Sequence, residues 1–174
     1  MPSWNVEWVK AKEYVLLNGD CTPVRLSPAS KPDISWLMSR MEELGVPVAY
    51  TKDLEEICFT RIPGGDHGDY LSGRIRIAGD LKTQPIMDKV FVHELAHHVD
   101  DQEDVTSDER LTKEKRRAAK HMADTYAKKN TGEYLAVGFE VYYLGTKEEK
   151  KKMRSKNPRL YRTIAELHRK FSRM

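Results

Sequence analysis

The spacing of apolar residues divides the chain into a first part of short strands and a second part of helices. Two short apolar runs, 14–17 and 22–26, flank an Asn-Gly turn, and this arrangement predicts a β-hairpin. A helix is predicted at 33–44 from apolar residues at helical spacing. Further strands are predicted at 46–50, 57–62 and 70–78, the last from its strict alternation of apolar and polar side chains.

From residue 81 onward the periodicity is helical. The segment that follows Pro85 carries apolar residues around most of its circumference, so we expect this helix to lie in the core. Further helices are predicted at 107–129, 133–144 and 158–171. Strands followed by helices, without a repeat or a linker, indicate one α+β domain over 1–174, rich in sheet in 1–80 and helical in 81–174.

The composition is that of a globular protein. The chain has 174 residues, of which 39% are hydrophobic and 33% charged, and this length is sufficient for one core. No apolar run approaches the length of a membrane span, so we expect no membrane partner. The net charge of +3 includes two basic stretches, 113–121 and 147–156. Because glutamates interrupt both and no aromatic residues interleave with the charge, we interpret them as solvated helix faces and do not expect a nucleic-acid partner.

The first residues lack the basic and then apolar pattern of a secretory signal. If this start is native, we expect a cytoplasmic protein; if a signal has been removed, we expect a secreted one. The two cysteines, Cys21 and Cys58, are too few for a disulfide scaffold, and we expect free, buried thiols.

The most specific motif in the chain is His93-Glu94-Leu95-Ala96-His97, which lies on the predicted core helix. Two imidazoles four residues apart project from one face of a helix and can share one metal ion. The glutamate between them points to the flank, where it can hold and deprotonate a metal-bound water. Since imidazoles are costly to bury without partners, the apolar surroundings strengthen this interpretation. The motif predicts a zinc peptidase site.

A catalytic zinc requires a third protein ligand. The extended motif with a third histidine is excluded because Asp100 and Glu103 stand where it needs glycine and histidine. His121 is a distant candidate within a basic stretch. Glu133 is the better candidate because it opens an apolar helix, where an acid is either a surface residue favoured by the helix dipole or a ligand.

Two further polar residues follow the motif on the same helix. His98 points about 100° away from His97, so we interpret it as a packing or supporting histidine and not as a ligand. Asp100 lies one turn after His97 and could hydrogen-bond a ligand imidazole or a nearby backbone group. Alternatively, it ends the helix and points to water.

The run from His93 to Asp100 resembles the active-site helix of the anthrax lethal factor catalytic domain and of the related Pro-Pro endopeptidases. In that family the third zinc ligand is a glutamate that opens a later helix, and a tyrosine seven residues before it points at the substrate carbonyl. Tyr126 and Glu133 have this spacing here. The resemblance spans about 57–143 and implies a zincin-like α+β domain, with a small mixed sheet packed on the active-site helix and further helices behind it.

The resemblance also implies an activity, that of a zinc-dependent endopeptidase of the gluzincin type. One Zn²⁺ per chain would be held by His93, His97 and Glu133. Glu94 would take a proton from the metal-bound water, and Tyr126 would stabilise the oxyanion together with the zinc. A peptide or protein substrate could add to the edge of the predicted strand 70–78.

One position departs from the family pattern, and two other functions stay open. The family often carries a second acid four residues after the ligand glutamate, where this chain has Val137. Glu140, one turn further on, is the alternative third ligand. The first functional alternative is a binding or regulatory module with a vestigial zinc site, which the intact Glu94 disfavours. The second is a nucleic-acid-associated protease recruited by the basic stretches.

Overall fold

The computed structural model describes residues 6–8, 14–17, 22–25, 34–60, 62, 66–78, 81 and 83–174. It confirms the predicted α+β class, because strands dominate the first part and helices the second. The strands are β1 (Val6–Trp8), β2 (Tyr14–Leu17), β3 (Thr22–Arg25), β4 (Glu56–Thr60), β5 (Gly68–Leu71) and β6 (Arg74–Ala78). The helices are α1 (Ile34–Glu43), α2 (Gln84–Glu103), α3 (Glu109–Ala118), α4 (Thr131–Leu144), α5 (Lys147–Lys156) and α6 (Pro158–Phe171).

The described strands form two three-stranded sheets. The first has the order β1-β2-β3 and is antiparallel; its pairing of β2 with β3 confirms the predicted hairpin, whose turn lies outside the described residues. The second has the order β4-β6-β5, in which β6 runs parallel to β4 and antiparallel to β5. This second sheet is the predicted small mixed sheet. Cys21 and the side chain of Cys58 also lie outside the described part of the chain.

The prediction of a single strand over 70–78 is wrong. Ser72 and Gly73 form a turn with φ values of 46° and 81°, and this turn separates β5 from β6. Consecutive residues with positive φ are typical of tight hairpin turns. In the sequence pattern Gly73 occupies an apolar position of the alternation, whereas in the structure it supplies the left-handed backbone of the turn. As a result β6 is the central strand and β5 lies at the edge.

Two other predicted elements are also different in the structure. The segment predicted as a strand at 46–50 instead forms a 3-10 turn, Val48–Thr51, that begins after Pro47. The helix predicted over 107–129 ends at Ala118 and is followed by two 3-10 turns, Ala119–His121 and Thr125–Lys128. The second of these turns begins where the Asp124 carboxylate accepts a hydrogen bond from the Tyr126 amide, which competes with a continuous helix.

Helix α2 lies at the centre of the described fold, as its all-round apolar pattern predicted. It packs against β5 and β6 on one side and against α4 on the other. Its fully buried apolar residues are Phe91, Val92, Leu95, Ala96 and Val99. None of the helices in the described ranges is both long and apolar enough to cross a membrane.

The buried carboxylate of Glu114 joins α3 to the start of α6. Its two oxygens accept hydrogen bonds from the backbone amides of Arg159 and Leu160, both at 2.9 Å. The Tyr134 hydroxyl of α4 lies 3.2 Å from it and 2.7 Å from the Asn157 side-chain oxygen, which is its nearer acceptor. Because the first amides of a helix have no partner within that helix, this carboxylate acts as the cap of α6.

We expect Glu114→Ala to lower the free energy of unfolding by about 3 kcal/mol, because two backbone donors at the start of α6 lose a charged acceptor. Urea denaturation followed by circular dichroism measures this change. Glu109→Ala is the matched control on the same helix, since Glu109 is exposed and contacts only Lys113 among the ion pairs described. Equal, small effects of the two substitutions would contradict the capping role.

Candidate active site

Helices α2 and α4 bring the three predicted ligand residues together. His93 and His97, one turn apart on α2, face Glu133 in the first turn of α4. His93 Nε2 lies 3.0 Å from Glu133 Oε2 and 3.3 Å from His97 Nε2, and His97 Nε2 lies 3.8 Å from the same carboxylate oxygen. One donor atom from each residue therefore lies within 4.8 Å of the other two.

The start of α4 determines where Glu133 lies. Asn130 precedes the helix, and its side-chain oxygen accepts a hydrogen bond from the Glu133 amide at 2.8 Å. This cap fixes Glu133 in the first turn, where the helix dipole favours a negative charge. A Cβ atom on the neighbouring Gly132 would lie 3.6 Å from the His97 ring, so the first turn of α4 lies directly against that imidazole.

Glu140 contacts the opposite side of the His93 ring. Its Oε1 lies 2.6 Å from His93 Nδ1, whereas Glu133 approaches Nε2. An imidazole that binds a metal through one nitrogen commonly has the other nitrogen held by a carboxylate. Glu140 thus contacts the ring nitrogen of His93 that faces away from Glu133, whereas the donor atoms that converge among the described residues are those of His93, His97 and Glu133.

These contacts change the protonation of His93 and Glu133. Burial lowers the pKa of His93, but the hydrogen bonds with Glu133 and Glu140 outweigh it and raise this pKa to about 9. The hydrogen bonds from His93 and His97 hold the pKa of the Glu133 carboxyl well below its usual range. The cluster therefore pairs a carboxylate with a protonated imidazole, and a metal cation that binds there would displace this proton, because imidazole is a metal ligand in its neutral form.

Glu94 is buried between α2 and the edge strand β5. Burial raises the pKa of its carboxyl to about 7, although His93 and His97 lower it. The strand passes so close that a Cβ atom on Gly68 would lie 2.4 Å from Val90 Cγ1 and 3.0 Å from Glu94 Oε1. Only glycine at position 68 allows the backbone of β5 to lie against Glu94 in this way.

A cleft of about 640 Å³ opens over these residues. It is bounded by β5, α2, the turn Thr125–Lys128 and the start of α4. The side chain of Tyr126 projects at its rim and is 47% exposed, with its ring centroid 6.5 Å from that of His93. The ammonium group of Lys129 lies over the Tyr126 ring, 5.0 Å from the centroid. The predicted tyrosine is therefore beside the cluster and accessible from the cleft.

His98, His121 and Asp100 do not join the cluster. His98 is fully buried, with Nε2 2.8 Å from the Lys52 carbonyl oxygen and Nδ1 3.2 Å from the Tyr70 hydroxyl. Asp100 accepts hydrogen bonds from the amide and hydroxyl of Thr106. The sequence predicted either a ligand imidazole or a backbone group as its partner, and the backbone group is present. His121 ends a 3-10 turn and does not belong to the cluster of potential metal-binding side chains found among the described residues.

Sequence reasoning missed two residues that contact the site from behind. Lys89 Nζ donates to Asp124 Oδ2 at 2.8 Å and lies 3.3 Å from Glu140 Oε2. The signal for Lys89 was available, because a lysine four residues before His93 on an apolar helix must lie on the histidine face. Asp124 had no such signal, since its turn was predicted to be part of a longer helix.

Comparisons with known proteins give the family and the fold of the chain. Residues 70–167, more than half of the chain, match the family described as anthrax toxin lethal factor, N- and C-terminal domain. The structure of the Pro-Pro endopeptidase from Paenibacillus alvei is similar with a TM-score of 0.60 and 17% sequence identity, over 83% of this chain and 96% of that one. This likeness shows a shared zincin-like fold. No match is found among curated proteins. The chain belongs to the anthrax toxin lethal factor family.

Proposed function

We propose that this protein is a zinc-dependent endopeptidase. The observation that carries the proposal is the convergence of His93, His97 and Glu133 donors within 4.8 Å, beside the buried Glu94 and at the base of an open cleft. Membership of a family that includes a lethal factor supports a peptidase, and the fold shared with an endopeptidase agrees with it.

The residues of the cluster fit zinc. Two imidazole nitrogens and one carboxylate oxygen are a donor set of catalytic zinc sites, which leave a further coordination position for water or substrate. Glu140 suits a supporting position at such a site. Its carboxylate lies at His93 Nδ1, where it would orient the imidazole towards the ion. Bound there, zinc would polarise the substrate carbonyl and lower the pKa of a water molecule.

The side chains of the cleft supply the proton transfers. Glu94 takes the proton of the attacking water and delivers it to the leaving amine, as a general base and then a general acid. Its position beneath β5 excludes bulk water from one side of the carboxylate. The Tyr126 hydroxyl donates a hydrogen bond to the oxyanion of the tetrahedral intermediate, and this donation is strongest in the transition state.

The substrate would lie along β5. The strand predicted at 70–78 is replaced by the hairpin of β5 and β6, and β5 is the edge strand of the second sheet that borders the cleft. Gly68, Asp69 and Tyr70 of β5 line it. An extended peptide can pair with the backbone of an edge strand, which gives affinity that does not depend on its side chains. We therefore propose that a peptide or protein segment binds in extended conformation between β5 and the rim at Tyr126.

Removal of a ligand side chain should remove the metal. We expect wild type to hold about one zinc per chain, His93→Ala and His97→Ala to lose it, and Glu133→Ala to bind it much more weakly. Elemental analysis after dialysis measures the zinc content. His121→Ala is the histidine control and should retain the full content. If His121→Ala loses the ion, or both motif variants retain it, the proposed site is wrong.

Replacement of the proposed base should separate chemistry from binding. We expect Glu94→Gln to retain zinc and the fold but to lose about 10²–10⁴-fold in the cleavage of a random peptide library, because a carboxamide cannot accept the proton. Glu103→Gln changes an acid at the far end of the same helix and should cleave like wild type. A zinc-loaded wild type that cleaves no member of the library would favour the vestigial binding module.

Tyr126→Phe should retain zinc and lose about 10²–10³-fold in kcat, the effect of one oxyanion donor. The measurement is kcat on a peptide that wild type cleaves, with zinc content determined in parallel. Tyr161→Phe is a suitable control because Tyr161 packs against Tyr142 and does not line the cleft. Unchanged turnover in Tyr126→Phe would show that the tyrosine only forms part of the cleft wall.

A further inference from the structure

We propose that Lys89 is a positioning residue that couples the orientation of His93 to the position of Tyr126. The inference rests on the proposed function, in which these two residues hold the metal and the oxyanion. Lys89 lies on α2 one turn before His93, and its ammonium group contacts two carboxylates, Asp124 and Glu140, from two other parts of the chain.

The first connection runs through Glu140 on α4. One oxygen of this carboxylate, Oε2, lies 3.3 Å from Lys89 Nζ. The other, Oε1, lies 2.6 Å from His93 Nδ1. Because both oxygens are engaged, the carboxylate cannot rotate without breaking a contact with either the lysine or the histidine. Lys89 therefore restrains the group that determines how the His93 ring is turned.

The second connection runs through Asp124. Its Oδ2 accepts a hydrogen bond from Lys89 Nζ at 2.8 Å, and its Oδ1 accepts one from the Tyr126 amide at 2.9 Å. Asp124 caps the 3-10 turn Thr125–Lys128, which carries the tyrosine. The lysine thus fixes the cap, and the cap fixes the backbone from which the Tyr126 ring reaches the cleft.

The charge of Lys89 is essential to both connections. Burial lowers the pKa of this ammonium group, but its contacts with Asp124 and Glu140 outweigh burial and raise it, so the group stays charged. The hydrogen bond from Lys89 is also the largest cause that lowers the pKa of the Asp124 carboxyl. Without the cation, two carboxylates that share one counter-ion would repel each other, and both connections would weaken.

The surroundings of Lys89 allow the charge to be removed without a steric clash. Lys89, Asp124 and Glu140 line the active-site cleft and also a second cavity of about 520 Å³ on the other side. Half of the lysine side chain is exposed. A methionine has a similar length and no charge, so Lys89→Met should leave the core unchanged. Lys89→Arg retains the charge and can still donate to two carboxylates.

The test uses two measurements on Lys89→Met, one of which requires neither zinc nor activity. We expect the backbone amide of Tyr126 in the zinc-free protein to exchange its hydrogen about tenfold faster than in wild type, as measured by nuclear magnetic resonance. We also expect the Kd for zinc to rise about tenfold, the size of effect that supporting residues commonly have. Lys89→Arg should stay within about threefold of wild type in both.

Lys170→Met is the matched control, because Lys170 pairs with Glu103 at the far end of α2. It should change neither quantity. The proposal is overturned if Lys89→Met leaves either the exchange rate or the Kd unchanged. It is also overturned if Lys89→Arg raises both as much as Lys89→Met does. Failure of the proposed function is recognised separately, since wild type would then bind no zinc before any variant is compared.

Discussion

The burial of polar groups on one face of the central helix constrains the rest of the structure. Helix α2 is apolar nearly all round, yet it carries two imidazoles and a carboxylate towards the cleft. Such groups are costly to bury unless partners satisfy them. The partners of the two imidazoles come from α4, so the start of α4 must lie opposite His93 and His97. The cap at Asn130 and the contact of Glu140 with His93 Nδ1 follow from that placement.

A single helix thereby holds one imidazole at both of its nitrogens. Glu133 and Glu140 are seven residues apart, which is two turns and about 10.5 Å along the axis of α4. The His93 ring lies between them, with Nε2 towards the first acid and Nδ1 towards the second. The family pattern places its second acid at the position of Val137, which is buried here. Glu140 lies one helical turn after Val137 and therefore on the same face of α4, which explains how it can contact the His93 ring.

The sequence was informative where chemistry depends on local geometry. The spacing of His93 and His97 determines their common face on any helix. The resemblance to the lethal factor family, carried by the seven-residue interval from Tyr126 to Glu133, indicated which later residues join them. It was less informative where partners come from separate segments. The contacts of Lys89 with Asp124 and Glu140 depend on how a turn and two helices pack, and the alternation over 70–78 did not reveal the turn at Gly73.

The close approach of β5 to α2 has a consequence for the width of the cleft. At position 68 the spacing between strand and helix is determined by the absence of a side chain, since even a methyl group would meet Val90 and Glu94. Any larger residue there would act as a wedge that moves either the edge strand or the carboxylate. The width of the cleft beside Glu94 is thus specified by a residue with no functional group.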